Sequence, residues 1–394
     1  MANYIVLSTF YHNKPSANGI CANNIVNELM LNNNSVDIIC YKNLYSSEKK
    51  TCIHEINFEY SPQKGIIKKL IRFTQRLHSP LINKKLVDDY FTKILEIISD
   101  KRIDCIIAMC FPLEALLAAY LVKQIHSNII IIDYELDSVI DGVDYRQSKN
   151  KKRIYEKWFT EIYQKIDYIF IMKSHLEYWN KSFCYFKDKL RAVDIPVLIP
   201  KTNNNVINNN IPLLIYSGLI EKRYRSPNYL LELFDYIKDK IEYELVFFSK
   251  GDCERTISEY VKDNSKIKQY GYVSQGELEL VMKKANFFVN IGNSFSNSVP
   301  SKLINYISYN KPIIHFSPNY SDVCLSYLKE YPLALIVDQN IPIEQEAERI
   351  IDFIRNHKCA DFKVNINKIF EMNTPKFSSD IIQKCVEIGG VICE

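Results

Sequence analysis

The chain has 394 residues, of which 47% are apolar and 24% are charged. This length is enough for two domains of ordinary size, and the composition is typical of a globular protein, which argues against a disordered or fibrous chain. The net charge is +4, because 50 basic residues stand against 46 acidic ones. A balance so close to neutrality gives no indication of nucleic-acid binding.

The eleven cysteines form neither a Cys-x-x-Cys pair nor a Cys/His cluster at zinc spacing. Tyr4–Phe10 is apolar, but it is too short for a secretory signal and lacks a basic leader, so we expect it to contain the first strand. These observations favour a reducing, cytoplasmic location. The longest apolar stretch, Cys105–Val122, is interrupted by Pro112 and Glu114. The interruption predicts a strand followed by a helix, and not a membrane span.

Strands and helices alternate along the first half of the chain. A strand at Tyr4–Thr9 precedes a polar loop with His12 and Gly19, and a helix is predicted at Ala22–Leu31. The continuous β-branched runs are typical of strands that are buried on both faces of a parallel sheet. Further predicted strands are Val36–Tyr41, Cys105–Met109, Ile129–Tyr134, Tyr168–Met172 and Ala192–Val193, and further predicted helices are Pro112–His126 and Lys151–Lys165.

The low-complexity segment Lys201–Asn210 predicts a linker or exposed loop, after which the alternation restarts. The pattern therefore predicts an α/β protein with two doubly wound, Rossmann-like domains that face each other across a cleft. We expect domains at 1–200 and 201–375, with a helix in 376–394 that returns to the first domain. The predicted elements of the second domain are strands Leu213–Ser217, Glu244–Phe248, Ile267–Gln269, Asn286–Ile291 and Pro312–Phe316, and helices Asn228–Lys238, Glu254–Asp263 and Ser274–Lys284.

Two loops of the second domain carry positive charge where strands are predicted to end. Lys302 lies in the first turn of a helix that begins near Pro300, after a loop of small polar residues. Lys222, Arg223 and Arg225 follow the strand that ends near Gly218. Ligands of doubly wound domains bind at the carboxyl ends of the strands, so the two loops predict a pyrophosphate site. The alternatives are an ordinary crossover with a solvated lysine and a solvated run of charges.

A third loop, Tyr270–Val273, contains Gly271, which would let the backbone approach a flat ligand. Gly218 with its cationic loop, Gly271-x-Val273, Val299–Tyr306 and Lys311–Ile314 occur in the order and spacing of a known family. The chain resembles the nucleotide-sugar-dependent glycosyltransferases of the GT-B fold. It is most similar to the retaining family 4, in the branch that builds bacterial capsule, O-antigen and other surface polysaccharides.

The resemblance implies a role for each matching residue. Arg225 and Lys302 would bind the donor diphosphate, and Tyr272 and Val273 would contact the nucleobase. Asp137 would face the reacting sugar, while Gly19 would lie near the acceptor and the reacting phosphate. His12 is a candidate acceptor contact from its position after the first strand, and the alternative is an ordinary polar surface residue. The remaining donor contacts implied for the two loops are Gly218, Lys222, Arg223, Ser298 and Ser301.

The chain departs from the family at two positions. The family has two glutamates eight residues apart, and Asn297 and Asn305 occupy those places. An amide still binds sugar hydroxyls, but it offers no negative charge to an oxocarbenium-like transition state. A catalytically weak or inactive accessory subunit is therefore an alternative, and a sugar-nucleotide epimerase is a less favoured one. No Asp-x-Asp motif stands at a strand end, so neither a metal nor another cofactor is expected.

Residues 61–87 contain seven Lys or Arg and no acidic residue. Within this segment, the apolar residues Ile66, Ile67, Leu70, Ile71, Phe73 and Leu77 fall on one helical arc. This pattern favours a basic amphipathic helix that contacts anionic lipid on the inner face of the cell membrane, where a lipid-linked acceptor would lie. The alternative is a surface helix that packs its apolar stripe on the sheet.

Overall fold

The computed structural model describes residues 1–9, 11, 17–42, 52–57, 80–110, 112–136, 149–201, 210–294, 300–358 and 363–392. The chain divides into two compact units. Unit 1 comprises Met1–Val197 together with Met372–Glu394, and unit 2 comprises Leu198–Glu371.

Unit 1 is built on a seven-stranded parallel sheet. Its strands are β1 (Asn3–Leu7), β2 (Ser35–Tyr41), β3 (Ile53–Ile56), β4 (Cys105–Cys110), β5 (Ile130–Glu135), β6 (Tyr168–Met172) and β7 (Leu190–Val193). The strand order is β3-β2-β1-β4-β5-β6-β7. This is the Rossmann order with one strand added, and its direction reverses between β1 and β4.

Helices connect these strands, and their apolar sides cover the sheet. The helices of unit 1 are α1 (Ala17–Leu31), α2 (Lys84–Asp100), α3 (Leu113–Ile125), α4 (Lys149–Tyr163) and α5 (Leu176–Ser182). Short 3-10 turns occupy Lys173–His175 and Cys184–Phe186. The terminal helix of the chain also belongs to this unit. In that helix Ser378 lies 2.8 Å, oxygen to oxygen, from the hydroxyl of Tyr134 in β5.

Unit 2 repeats the design with six parallel strands. They are β8 (Leu213–Ile220), β9 (Glu244–Gly251), β10 (Ile267–Tyr270), β11 (Phe287–Ile291), β12 (Ile313–Ser317) and β13 (Ala334–Asp338), in the order β10-β9-β8-β11-β12-β13. Its helices are α6 (Asn228–Tyr236), α7 (Glu254–Asp263), α8 (Gln275–Lys284), α9 (Ser301–Ile307), α10 (Cys324–Leu328), α11 (Ile343–His357) and α12 (Ile366–Ile369). The 3-10 turn Glu371–Asn373 follows α12, and the terminal helix α13 (Pro375–Ile392) belongs to unit 1.

Each unit has its own apolar core. The core of unit 1 includes Ile131, Ile169 and Tyr163, and that of unit 2 includes Leu214 and Val289. The two parallel Rossmann-like sheets agree with the fold class predicted from the sequence. Among the described residues, no helix is long and apolar enough to cross a membrane.

Two glycines lie in other elements than those predicted. Gly19 is not in a polar loop but is buried in the first turn of α1, because it shares one face of the helix with Ala22, Val26 and Leu29. Gly218 lies inside β8, which runs on to Ile220 in register with β9. Its φ of 124° is open to glycine but strained for other residues.

Candidate anion-binding site

The sheet of unit 2 reverses its strand order between β8 and β11. The loops that follow these two neighbouring strands therefore begin at the same point, at the carboxyl edge of the sheet. In doubly wound folds this crevice is where ligands bind. Both cationic loops predicted from the sequence begin here: the first carries Arg225, and the second leads to Lys302.

Arg225 is bound to the loop that follows the neighbouring strand. Its Nε donates a hydrogen bond to Asn293 Oδ1 at 2.5 Å, and Nη1 lies 3.4 Å from the carbonyl oxygen of Leu219. The backbone N–H of Ser294 donates to the carbonyl of Tyr224 at 2.8 Å. The two loops are thus bonded to each other, and a half-buried guanidinium lies at their junction.

Lys302 brings a second cation to the same place. Its Nζ donates to the hydroxyl of Tyr216 at 2.7 Å and lies 4.0 Å from the centre of that ring. The lysine also packs against Gly218, where a Cβ would lie 3.5 Å from Lys302 Cδ. Tyr216 thereby fixes the position of the ammonium without neutralising it.

The electrostatic state of Lys302 follows from these surroundings. Burial, and then the positive charge of Arg225, hold the pKa of the Lys302 ammonium well below its ordinary value of 10.5. Part of the residue still touches solvent. Within the ranges that the structure describes, neither Lys302 nor Arg225 has a carboxylate partner. Two neighbouring cations without an acid form a site for an anion.

The other cations of the first loop differ from Arg225. Lys222 and Arg223 are exposed, and the Arg223 guanidinium lies 5.5 Å from the centre of the Tyr224 ring. The structure therefore separates one half-buried arginine from two solvated neighbours. Because α9 has only seven residues, the side chains carry this site, and the end of the helix contributes little.

Aromatic side chains lie at the carboxyl ends of β9 and β10, on the other side of β8. Tyr270 stacks on Phe248 with ring centres 5.4 Å apart, and Tyr272 is 71% exposed. The Lys250 ammonium lies 4.9 Å from the Tyr272 ring centre, and Val273 is partly buried. Exposed rings next to a cation site suit a flat heterocycle joined to a phosphate.

The structure describes only some of the remaining residues that the sequence predicts for the site. Ser301 and Asn305 lie on α9 with Lys302, both are half-buried, and the Asn305 amide has no hydrogen-bond partner in the described part of the chain. Gly19 lies in unit 1. Outside the described residues are His12, Asp137, Asn297, Ser298 and positions 61–79 of the basic segment.

Two residues of the site carried no signal in the sequence. Tyr216 lies within a buried strand and is indistinguishable from a core aromatic, and Asn293 is one polar residue among several in its loop. Only the neighbouring position of β8 and β11 brings them to Lys302 and Arg225.

One group in the described residues has the side chains of a metal site. The nearest nitrogen, oxygen and sulfur atoms of His315, Asp322 and Cys324 all lie within 4.8 Å of one another, and the three residues are buried. The donor types suit zinc. However, His315 Nε2 lies only 2.8 Å from Asp322 Oδ2, which is a hydrogen-bond distance, and His315 Nδ1 is bonded to Asn290. Both ring nitrogens of His315 are therefore engaged in hydrogen bonds within the protein.

Comparison with known proteins shows the fold. Neither a protein-family model nor a curated protein matches the sequence. A glycosyltransferase from Rickettsia africae is 12% identical, with a TM-score of 0.62 over 100% of this chain and 99% of that chain. The catalytic domain of Starch Synthase IV from Arabidopsis thaliana, bound to ADP and acarbose, is 9% identical, with a TM-score of 0.61 over 99% of each chain.

A third similar structure is the UDP-GlcNAc 2-epimerase from Methanocaldococcus jannaschii. It is 13% identical, with a TM-score of 0.58 over 98% of this chain and 100% of that chain. At such low identities the similarity concerns the fold alone. The predicted fold class, two Rossmann-like domains of the GT-B type, is confirmed.

Proposed function

We propose that this protein is a glycosyltransferase that moves a sugar from a nucleotide-sugar donor to a glycan or lipid-linked acceptor. The observation that carries the proposal is the pair of cations, Arg225 and Lys302, at the strand-order reversal of unit 2. The fold supports it, since similar structures include a glycosyltransferase and a starch synthase bound to ADP. The proposed setting is the synthesis of a bacterial capsule, lipopolysaccharide O-antigen or exopolysaccharide.

The proposed reaction breaks the bond between the anomeric carbon and the donor diphosphate, so negative charge grows on the departing phosphate. Arg225 and Lys302 would stabilise that charge, with no metal required. Tyr272 and Val273 would contact the base, which we propose to be uracil, and Asn305 would bind the ribose. Retention of configuration at the anomeric carbon is part of the proposal, on the resemblance to family 4.

The acceptor side of the proposal rests on the sequence. Asp137 would face the reacting sugar, and Gly19 and His12 would lie near the acceptor. Asn297 and Ser298 would complete the donor loop. Residues 61–87 would contact anionic lipid at the inner membrane face. Flotation of the protein with anionic and with neutral liposomes tests this contact. Equal binding to both kinds of liposome would contradict it.

A sugar-nucleotide epimerase is the second candidate, because a UDP-GlcNAc 2-epimerase has a similar fold over nearly its whole length. The products separate the two functions. A transferase releases the nucleoside diphosphate and glycosylates the acceptor, whereas an epimerase returns a sugar nucleotide of altered configuration.

Replacing Arg225 with alanine tests the proposed donor site. We expect UDP to raise the melting temperature of the wild-type chain more than GDP, ADP or CMP does. Arg225→Ala should weaken UDP binding roughly 10- to 100-fold, because a charge-assisted hydrogen bond contributes about 1.5–3 kcal/mol. Arg255, an exposed arginine of the same unit that pairs with Glu259, is the matched control, and its alanine variant should bind UDP normally.

Release of UDP from a panel of UDP-sugars with a lipid-linked acceptor tests the transfer itself. If UDP raises the melting temperature of Arg225→Ala as much as that of the wild-type chain, Arg225 does not belong to the donor site. Nucleotide binding without turnover on any donor would favour the accessory-subunit alternative that Asn297 and Asn305 raise.

A further inference from the structure

A line of buried polar side chains lies next to the loop after β11, in which Asn293 accepts a hydrogen bond from Arg225. Asn290 in β11 and His315 in β12 are paired in the register of the sheet, and both are fully buried. The Asn290 amide nitrogen lies 2.9 Å from His315 Nδ1, and His315 Nε2 lies 2.8 Å from Asp322 Oδ2. Asp322 Oδ1 accepts the backbone N–H of Cys324 at 2.9 Å. Since buried polar groups are costly unless bonded, these bonds fix one another's positions.

The bonds also define the state of the imidazole. An amide nitrogen only donates, so His315 Nδ1 is the acceptor and Nε2 carries the proton that it donates to Asp322. This tautomer is assigned from the hydrogen-bond network. His315 therefore orients a buried carboxylate.

That carboxylate lies against the backbone of the loop. A Cβ at Gly292 would lie 1.8 Å from Asp322 Oδ2, so only glycine lets the loop approach so closely. The Gly292 N–H donates to the carbonyl of Phe316 at 2.9 Å. The next residue, Asn293, accepts the hydrogen bond from Arg225. Contacts thus run without a gap from His315 through Asp322 and the loop backbone to the guanidinium.

We infer that Asp322 and His315 are positioning residues of the anion-binding site. They hold Gly292 and Asn293 where Asn293 aligns Arg225, and they touch no ligand themselves. The inference rests on the anion site of the proposed function, but not on sugar transfer. Without this support, Arg225 would have to be ordered when the anion binds, and the ordering would weaken binding.

The test is a calorimetric titration of the chain with inorganic pyrophosphate. Asp322→Asn keeps the shape of the side chain, and we expect its dissociation constant to rise about tenfold, which corresponds to about 1.4 kcal/mol. The matched control is Glu346→Gln, which alters another fully buried carboxylate of unit 2, hydrogen-bonded to Arg349 and to the backbone of Asp338. The control should lower the melting temperature without changing pyrophosphate affinity.

A double-mutant cycle shows whether Asp322 acts through Asn293. We expect the Asp322→Asn/Asn293→Ala protein to bind no more weakly than Asn293→Ala alone, because both changes act on the same contact to Arg225. His315→Gln, which keeps a donor toward Asp322, should bind nearly normally, whereas His315→Leu should resemble Asp322→Asn. This second pair decides the matter if Asp322→Asn does not fold.

Several results would overturn the inference. They are an unchanged affinity in folded Asp322→Asn, additive losses in the cycle, and a stoichiometric metal ion that Asp322→Asn releases. A wild-type chain that does not bind pyrophosphate would overturn both the inference and the proposed function. Binding with the expected variant effects but no sugar transfer would contradict the proposed function alone.

Discussion

At the scale of single residues, the surroundings of Lys302 link its protonation to anion binding. Its ammonium donates to Tyr216, packs against Gly218 and lies near Arg225, with no carboxylate among its described neighbours. Burial beside a like charge disfavours the protonated amine, and a bound anion would reverse that preference. Ligand binding and protonation of Lys302 should therefore be linked.

We predict that the wild-type chain takes up protons when it binds pyrophosphate at a pH between the depressed pKa of Lys302 in the free protein and its pKa in the complex. The pKa of Lys302 is depressed in the free protein, and the bound anion raises it, so affinity should fall as the pH rises between these two values. Calorimetry in buffers of different ionisation enthalpy measures the uptake. Lys302→Met should lose this uptake and bind about tenfold more weakly, equivalent to about 1.4 kcal/mol.

Lys240→Met is the control, since Lys240 is an exposed lysine of the same unit that lies over the Tyr236 ring, away from the site. It should keep the uptake of the wild-type chain. If Lys302→Met still takes up as many protons as the wild type, another group is responsible for the linkage.

At the scale of elements, the end of the β8–β9 pair depends on glycine. Gly218 and Gly251 both have positive φ, at 124° and 136°, and Gly251 pairs with Ile220 in the last position of the ladder. A Cβ at Gly251 would lie 1.8 Å from the Ile220 carbonyl oxygen. This close approach places the first cationic loop at the edge of the sheet.

We predict that Gly251→Ala lowers the free energy of unfolding of unit 2 by about 2 kcal/mol or more, because it combines backbone strain with a clash against Ile220. Gly276→Ala is the opposite control. Gly276 lies in α8, where a Cβ would have no neighbour within 4 Å, and the change should stabilise the chain by about 0.5–1 kcal/mol. Urea denaturation measures both; an equal effect of the two substitutions would contradict the role of Gly251.

The same elements show what the sequence can and cannot predict. Central strands such as β5 and β11 were predicted because burial on both faces leaves a continuous apolar run. The edge strands β3 and β13 were not. Both are only partly buried, and the pattern of β3 is mixed, but β13 was missed although its residues are largely apolar. Of the three cations after β8, the charge pattern alone does not distinguish Arg225, since its partner Asn293 comes from a distant segment; only the family resemblance singles it out. Strand order sets that contact, and local patterns do not encode it.

At the scale of the whole molecule, two units of similar topology carry different polar groups in their cores. In unit 1, Asp133 and Glu135 are both fully buried in β5, and the Tyr163 hydroxyl lies 3.1 Å from Asp133 Oδ2 and 3.0 Å from Glu135 Oε1. One hydroxyl therefore lies within hydrogen-bond distance of two buried carboxyl groups. Burial raises the pKa of Asp133 to about 7, although the Tyr163 hydrogen bond opposes the rise.

The buried carboxyl of Asp133 predicts that unit 1 loses stability relative to unit 2 as the pH rises. Folded Asp133 keeps its proton up to about pH 7, whereas its ordinary pKa is 3.8, so its contribution to stability is present in acid and is lost as the pH rises through this window. Hydrogen exchange, corrected for its intrinsic pH dependence, should show β5 losing protection relative to β11 between about pH 5 and about pH 7.5. Asp133→Asn keeps the shape of the side chain and should abolish the relative loss. If β5 loses the same protection in that variant, the buried carboxyl of Asp133 does not control the stability of unit 1.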